Sequence, residues 1–292
     1  ACAPLWSALN ERFFADSSVT AKDADRAHFL ANCARAEAYR MGELRLEDDT
    51  HGDNDPDCAT FVLAAVRHDY TQIEDASDRL RNDVAFMIRA MRVRGHCLEK
   101  ASPAMRDNRA VVLAAVETAG AAVNNASLTL KSDRAIVLAA VKKDGTALLM
   151  VDQAFRNDAE VVKWAASNWV DALHKATQDV RNDRNVVLAA VRHDGRALAF
   201  AGPIPVDDRE VVLTAVANHA RSLAHASDAL RADREVVMAA VQKGGMALQY
   251  AIGDLRADRD VVLAAVRTNK DAFDFALPPA RDDDEVLLAA LG

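Results

Sequence analysis

The residues best equipped for chemistry in this chain are arginines and aspartates that recur two positions apart. Asp83, Asp133, Asp158, Asp183, Asp208, Asp233, Asp258 and Asp283 share one site, with Asn108 as the single substitute. Two residues earlier stand Arg81, Arg106, Lys131, Arg156, Arg181, Arg231, Arg256 and Arg281, and only Val206 departs. A row of guanidinium groups can read phosphates, as in helical repeats that take one nucleotide per unit. Here a carboxylate follows each cation and cancels the field a phosphate needs. The pattern predicts helix N-caps joined by ion pairs within and between units.

Other clusters are weaker. Arg67-His68-Asp69, Lys142-Lys143-Asp144 and Arg192-His193-Asp194 place cations where a helix C-terminus favours them. His68 and His193 lie 125 residues apart and cannot share a metal. The acidic run from Glu47 to Asp57 lacks the Asp-x-Asp-x-Asp-Gly register of a calcium loop and reads as a solvated linker. No nucleophile–base pair, phosphate-cradling glycine loop or metal-ligand spacing stands out. The expectation is a non-enzyme with no cofactor and no metal.

What positions these residues is a period of 25. A version of Val-Val-Leu-Ala-Ala-Val recurs ten times, with its second alanine at Ala65, Ala90, Ala115, Ala140, Ala165, Ala190, Ala215, Ala240, Ala265 and Ala290. A fixed period of this length is the mark of a stacked repeat array. In residues 233–257, Asp233 caps a helix whose Val236, Val237, Ala240 and Val241 form one apolar stripe. The Gly244-Gly245 pair should stop that helix in the left-handed conformation, and a second helix of roughly eight residues should carry Leu248, Ala251 and Leu255 on one face. Where Val170 replaces the turn glycine, the left-handed residue is expected to shift to Asn168. Neither helix is long enough to persist alone, so stacking must hold them.

The resulting fold class is all-α: an α-solenoid of about nine and a half 25-residue helical-hairpin repeats over residues 58–292, with residues 1–57 as a helical N-terminal cap and acidic linker. Within the cap, Leu5 to Phe14 and Lys22 to Leu44 read as helices. At about 8–10 Å between helices the array would run some 80–100 Å along its contour.

Composition narrows the partners. A net charge of -8 argues against a general nucleic-acid or anionic-membrane binder. No apolar run reaches the roughly 18 residues of a membrane span. Cys2, Cys33, Cys58 and Cys97 show no zinc spacing and read as buried free thiols, with a disulfide among the first three as the alternative. The chain begins Ala-Cys-Ala-Pro, which fits removal of a plastid or mitochondrial targeting peptide, with cytoplasmic and secreted origins as alternatives.

Residues 183–202 carry the pattern Asp-x-x-Val-Val-Leu-Ala-Ala-Val-x-x-x-Gly-x-Ala-Leu-x-x-Ala-Ser, with Gly202 in place of Ser. This pattern resembles a tandem-repeat family known as a domain of unknown function, seen in protists, algae and some intracellular bacteria. The resemblance covers residues 58–292. It implies tandem helical repeats and no catalytic residues.

Candidate partner-binding residues are those that break the period. In the unit at 158–182, Lys163-Trp164 replaces Leu-Ala and Trp169 occupies the turn. A cation and large aromatics in these places suit an interface anchor, although both rings could equally fill a bend in the array. Pro203, Ile204 and Pro205 interrupt the Leu-Arg signal, and Pro278-Pro279 repeats the theme. The function expected is a protein–protein interaction scaffold, linker or accessory subunit, with no nucleic acid, membrane span or small-molecule substrate. An effector binding a host protein and a helical-repeat RNA binder are the alternatives.

Overall fold

The computed structural model describes residues 59–292. The expected N-terminal cap, the acidic linker, Cys2, Cys33 and Cys58 lie outside the described residues. The chain divides into two compact units, Ala1–Lys143 and Asp144–Gly292. No strand occurs among the described residues, and each unit is a stretch of all-α solenoid.

The first compact unit carries long helices at Ala59–His68, Val84–Val93, Arg109–Thr118 and Arg134–Lys143. The second carries them at Ala159–Ala166, Arg184–His193, Arg209–Asn218, Arg234–Lys243, Arg259–Thr268 and Asp284–Leu291. Within each unit every long helix packs on the next. The capping aspartate starts the helix as its residue type requires: the Asp183 carboxylate accepts from the N–H groups of Asn185 at 2.8 Å and Val186 at 3.3 Å. Asn108 does the same for Ala110 and Val111. The apolar stripe then enters the core, where Val186, Val187, Ala190 and Val191 are buried. Each such valine contributes roughly 1.5–3 kcal/mol relative to an exposed one.

The remainder of the repeat departs from the two-helix expectation. After the long helix comes a 3-10 segment, such as Gly95–Lys100, Gly195–Phe200 or Gly245–Tyr250. An extended alanine follows, with ψ of 153° at Ala201 and 143° at Ala251. A four-residue helical turn closes most units, for example Leu128–Lys131 and Asp228–Arg231. Leu248 and Ala251 are buried as expected, but Leu255 lies beyond the break on a separate turn and is only half-buried. In the repeat of Leu255 the break falls at Ala251-Ile252 without a side-chain cap; where the step reads Ala-Ser, the serine is the reason. Ser127 and Ser227 are N-caps whose hydroxyls accept from the N–H groups of Leu130 and Leu230 at 3.3 Å, so a new helix begins there.

The turn glycines also serve a different purpose. Among the described residues only Gly253 has a positive φ, of 64°. Gly244 is extended, with φ of -168°. At Gly95, Gly145, Gly195 and Gly245, which follow long helices, the constraint is close approach. A Cβ at Gly95, Gly195 or Gly245 would lie 2.2, 2.3 or 2.1 Å from the carbonyl oxygen of Ala115, Ala215 or Ala265 in the next repeat. Where the repeat carries this glycine, it and the second alanine of the next repeat therefore meet backbone to backbone. At Val170 no left-handed residue appears at Asn168. The preceding helix ends early, at Ala166, and the following segment Asp171–Lys175 is α rather than 3-10. Asn168 instead accepts from the Gly145 N–H at 2.5 Å.

Candidate interaction surface

Three sets of polar contacts tie neighbouring repeats together, and they determine which surface groups stay uncommitted. The first is purely backbone. In the second compact unit the N–H groups of Thr177, Gly202, Ser227, Ile252 and Leu277 donate to the carbonyls of Arg156, Arg181, Val206, Arg231 and Arg256, at 2.8–3.2 Å. The bond survives at Val206, where the arginine is missing, because it needs no side chain.

The second set uses the recurrent arginine. Arg231 Nε donates to the Tyr250 carbonyl and Arg256 Nε to the Phe275 carbonyl, both at 2.8 Å. Arg231 thus grips the next repeat twice, through its own carbonyl and its guanidinium. These arginines do not form the expected pairs with the aspartates two residues on. Arg231 and Arg256 face the carbonyls that end the next 3-10 segment, which need donors, whereas Arg106 donates back to the Ala101 and Glu99 carbonyls of its own repeat.

The third set is the ion-pair ladder, and a different arginine builds it. The first residue of the long helix reaches forward to the next repeat. Arg184 pairs with Asp208 at 2.7 Å and with Glu210; Arg209 pairs with Asp233 at 3.5 Å and with Glu235. Arg234 reaches Asp258 and Asp260 at 2.9 and 2.8 Å, and Arg259 reaches Asp283 at 2.9 Å and Glu285. In the first compact unit Arg109 meets Asp133 at 2.7 Å. The N-cap carboxylate is consequently shared between its own helix and its neighbour's guanidinium. The Arg184 guanidinium holds the Asp208 carboxyl below the usual carboxylate range, as Arg109 does for Asp133 and Arg259 for Asp283. A detectable sign stood in the sequence: an arginine follows six of the nine caps, each with an acid 24 residues on and all but Arg109 with a second acid 26 residues on.

Against this self-paired surface the irregular residues are distinct. Lys163 and Trp164 lie on the long helix Ala159–Ala166, and both are exposed, Trp164 by 39%. Trp169 is half-buried in the turn before Asp171–Lys175, with its N–H on the Ala165 carbonyl at 2.9 Å. Pro203 and Ile204 are exposed, Ile204 by 66%, whereas Pro205 is buried and opens the short turn Pro205–Asp207. Gly202 is needed beside them: a Cβ there would lie 2.1 Å from Asn182 Oδ1. Lys163, Trp164 and Trp169 belong to one repeat, and Pro203 to Pro205 to the next.

A groove of about 330 Å³ that the periodicity did not reveal is lined by residues within 170–225, a stretch that starts just after the first departure and runs past the second. Three consecutive repeats line it, with Asp171 from the first, Arg196 and Phe200 from the second, and His219, Arg221 and His225 from the third. The His174 ring lies against Phe200 with centroids 5.1 Å apart. Arg196 is held by Asp194, at 2.5 Å for the closest contact, and Asp171 adds to the field on that guanidinium. Asp171 and Arg221 take part in no hydrogen bond or ion pair with the described residues.

Among the described residues no three His, Cys, Asp or Glu side chains are grouped to hold a metal ion. No described helix is long and apolar enough to cross a membrane. Cys97 is a buried free thiol, and burial pushes its pKa up to about 12.

Four stretches, 60–106, 108–156, 208–256 and 233–278, match the family model described as Domain of unknown function (DUF4116), and together they span more than half of the chain. No curated protein and no solved structure matches.

Proposed function

We propose that this chain, which belongs to the DUF4116 family of helical repeats, is a non-catalytic protein–protein interaction scaffold, an accessory or linker component of a larger assembly. The observation that carries the reading is where the charge goes. Among the described residues Arg184, Arg209, Arg234 and Arg259 are paired with acids of the next repeat, and Arg231 and Arg256 with its backbone. That leaves no continuous basic track of the kind nucleic acid requires. What the surface offers instead is apolar bulk on well-braced elements, Trp164 and Ile204, with Lys163 beside the ring. Large exposed apolar groups among charged neighbours are typical of interface anchors.

The test is to isolate the chain with its native partners, cross-link through lysine amines, and map the linked peptides. Links should concentrate at Lys163. Trp164→Ala and Ile204→Ser should each weaken partner retention about fivefold or more while leaving helicity and melting temperature unchanged. Retention of every partner by the folded double variant would refute the reading.

A further inference from the structure

The groove between Asp171 and Arg221 has a definite chemical polarity. Its first repeat presents an exposed carboxylate, Asp171, which feels the Arg196 guanidinium but forms no ion pair with it. Its third presents an uncommitted guanidinium, Arg221, with the imidazoles of His219 and His225 beside it. Between them the middle repeat supplies Phe200, half-buried and backed by His174. Arg196 adds little net charge, because Asp194 already holds it through two N–H donors. Phe200 replaces polar residues found at the same place in the first compact unit, Asp75, Lys100 and Asn125.

Resting on the interaction reading above, we propose that this groove docks a linear segment of a partner protein carrying opposite charges at its two ends and an apolar side chain between them. A cation of the segment pairs with Asp171, the apolar side chain covers Phe200, and a carboxylate meets Arg221 and the histidines. Two repeat steps of about 8–10 Å separate the charged ends, which an extended segment of about five or six residues spans. A doubly acidic segment is disfavoured by Asp171, and a doubly basic one by Arg221. Neither direction of the segment along the groove is excluded, so charge pairing rather than order is the recognisable feature.

The experiment uses the full chain and three labelled, end-blocked hexapeptides, followed by fluorescence anisotropy at low salt. They are Lys-Gly-Phe-Leu-Gly-Glu, the same peptide with Glu at both ends, and the same with Lys at both ends. The mixed peptide should bind best, by roughly twofold to fivefold over each of the others. Asp171→Lys should shift the preference to the doubly acidic peptide, and Arg221→Asp to the doubly basic one. Phe200→Ser should weaken all three. Circular dichroism establishes that each variant is folded. Equal binding of the three peptides, or preferences that ignore both charge reversals, would overturn the proposal. Should no peptide bind while native partners are still captured in a Trp164-dependent way, this groove is not the docking site and the broader reading survives. If no peptide binds and the unmodified chain captures no native partner, both readings fail.

Discussion

Two adjacent glycines, Gly244 and Gly245, give the stacking contact a test with its own control. A Cβ added at Gly245 would stand 2.1 Å from the Ala265 carbonyl oxygen and 3.0 Å from the Asn269 nitrogen. Both are backbone atoms of the next repeat, anchored in the helix Arg259–Thr268 and at its C-cap. An ordinary contact needs about 3.4 Å, so Gly245→Ala must force the repeats apart or distort the 3-10 segment. Overpacking of this kind costs about 1–3 kcal/mol. Because Gly245 is not in the left-handed region, alanine also restricts the unfolded chain and returns about 0.4–1 kcal/mol. The net expectation is a loss of about 1–2 kcal/mol, or some 3–6 °C in melting temperature for a cooperative unit of this size. At Gly244 the added Cβ meets only the Ala220 Cβ, at 3.1 Å, in an extended backbone any residue adopts. Gly244→Ala should change stability by less than about 0.5 kcal/mol. Thermal and urea melts of the two variants side by side decide the matter. Equal melting temperatures would refute the claim that this glycine is present for backbone contact.

Four further outcomes follow from the same contacts. Ala190→Leu places a large side chain at a fully buried site and should cost about 1–3 kcal/mol in a urea melt; an unchanged midpoint would remove the close helix contact. Arg231→Ala deletes the 2.8 Å bond to the Tyr250 carbonyl and should lower stability by about 1–2 kcal/mol in a urea melt; an unchanged midpoint would contradict that role. The carboxyls of Asp133, Asp208 and Asp283 are held below their unfolded range. Their stabilisation is therefore complete above about pH 4 and lost as pH falls through the lowered folded values. Melting temperature should drop steeply below about pH 4, and Asp208→Asn, which can still cap as Asn108 does, should show a shallower drop. Cys97 should resist iodoacetamide in the folded protein at pH 8 and react once urea unfolds it; rapid native labelling would contradict its burial.

Local signals in the sequence were decisive where a residue acts on its own helix. The capping aspartates, the Val-Val and Ala-Val pairs and the fully buried second alanine all work within one turn or two, and the structure has them where the spacing placed them. Three features escaped because their partners lie about one repeat away. The turn glycine was read as a left-handed stop, its commonest local use, but its constraint comes from the alanine carbonyl 20 residues on. The arginine before the cap was matched to its nearest aspartate, yet at Arg231 and Arg256 its Nε serves a carbonyl 19 residues on. The ladder arginine occupies a position treated as variable, since Val84 and Ala159 also stand there. The break after the alanine was hidden for another reason: Leu248, Ala251 and Leu255 keep an apolar spacing that a continuous helix would also produce. The groove lined by Asp171, Phe200 and Arg221 had no motif to announce it, because each residue comes from a separate repeat.

The central claim is that each repeat is an interchangeable brick held by its neighbours, and excision of one brick tests it most directly. Removing residues 208–232 joins Asp207 to the capping Asp233 and preserves the period of 25. Circular dichroism of that chain should give the same helicity per residue and a cooperative melt a few degrees lower, as nearest-neighbour stacking requires. A chain that loses its helicity on this in-phase excision, or one that tolerates an out-of-phase removal of 220–232 equally well, would contradict the account.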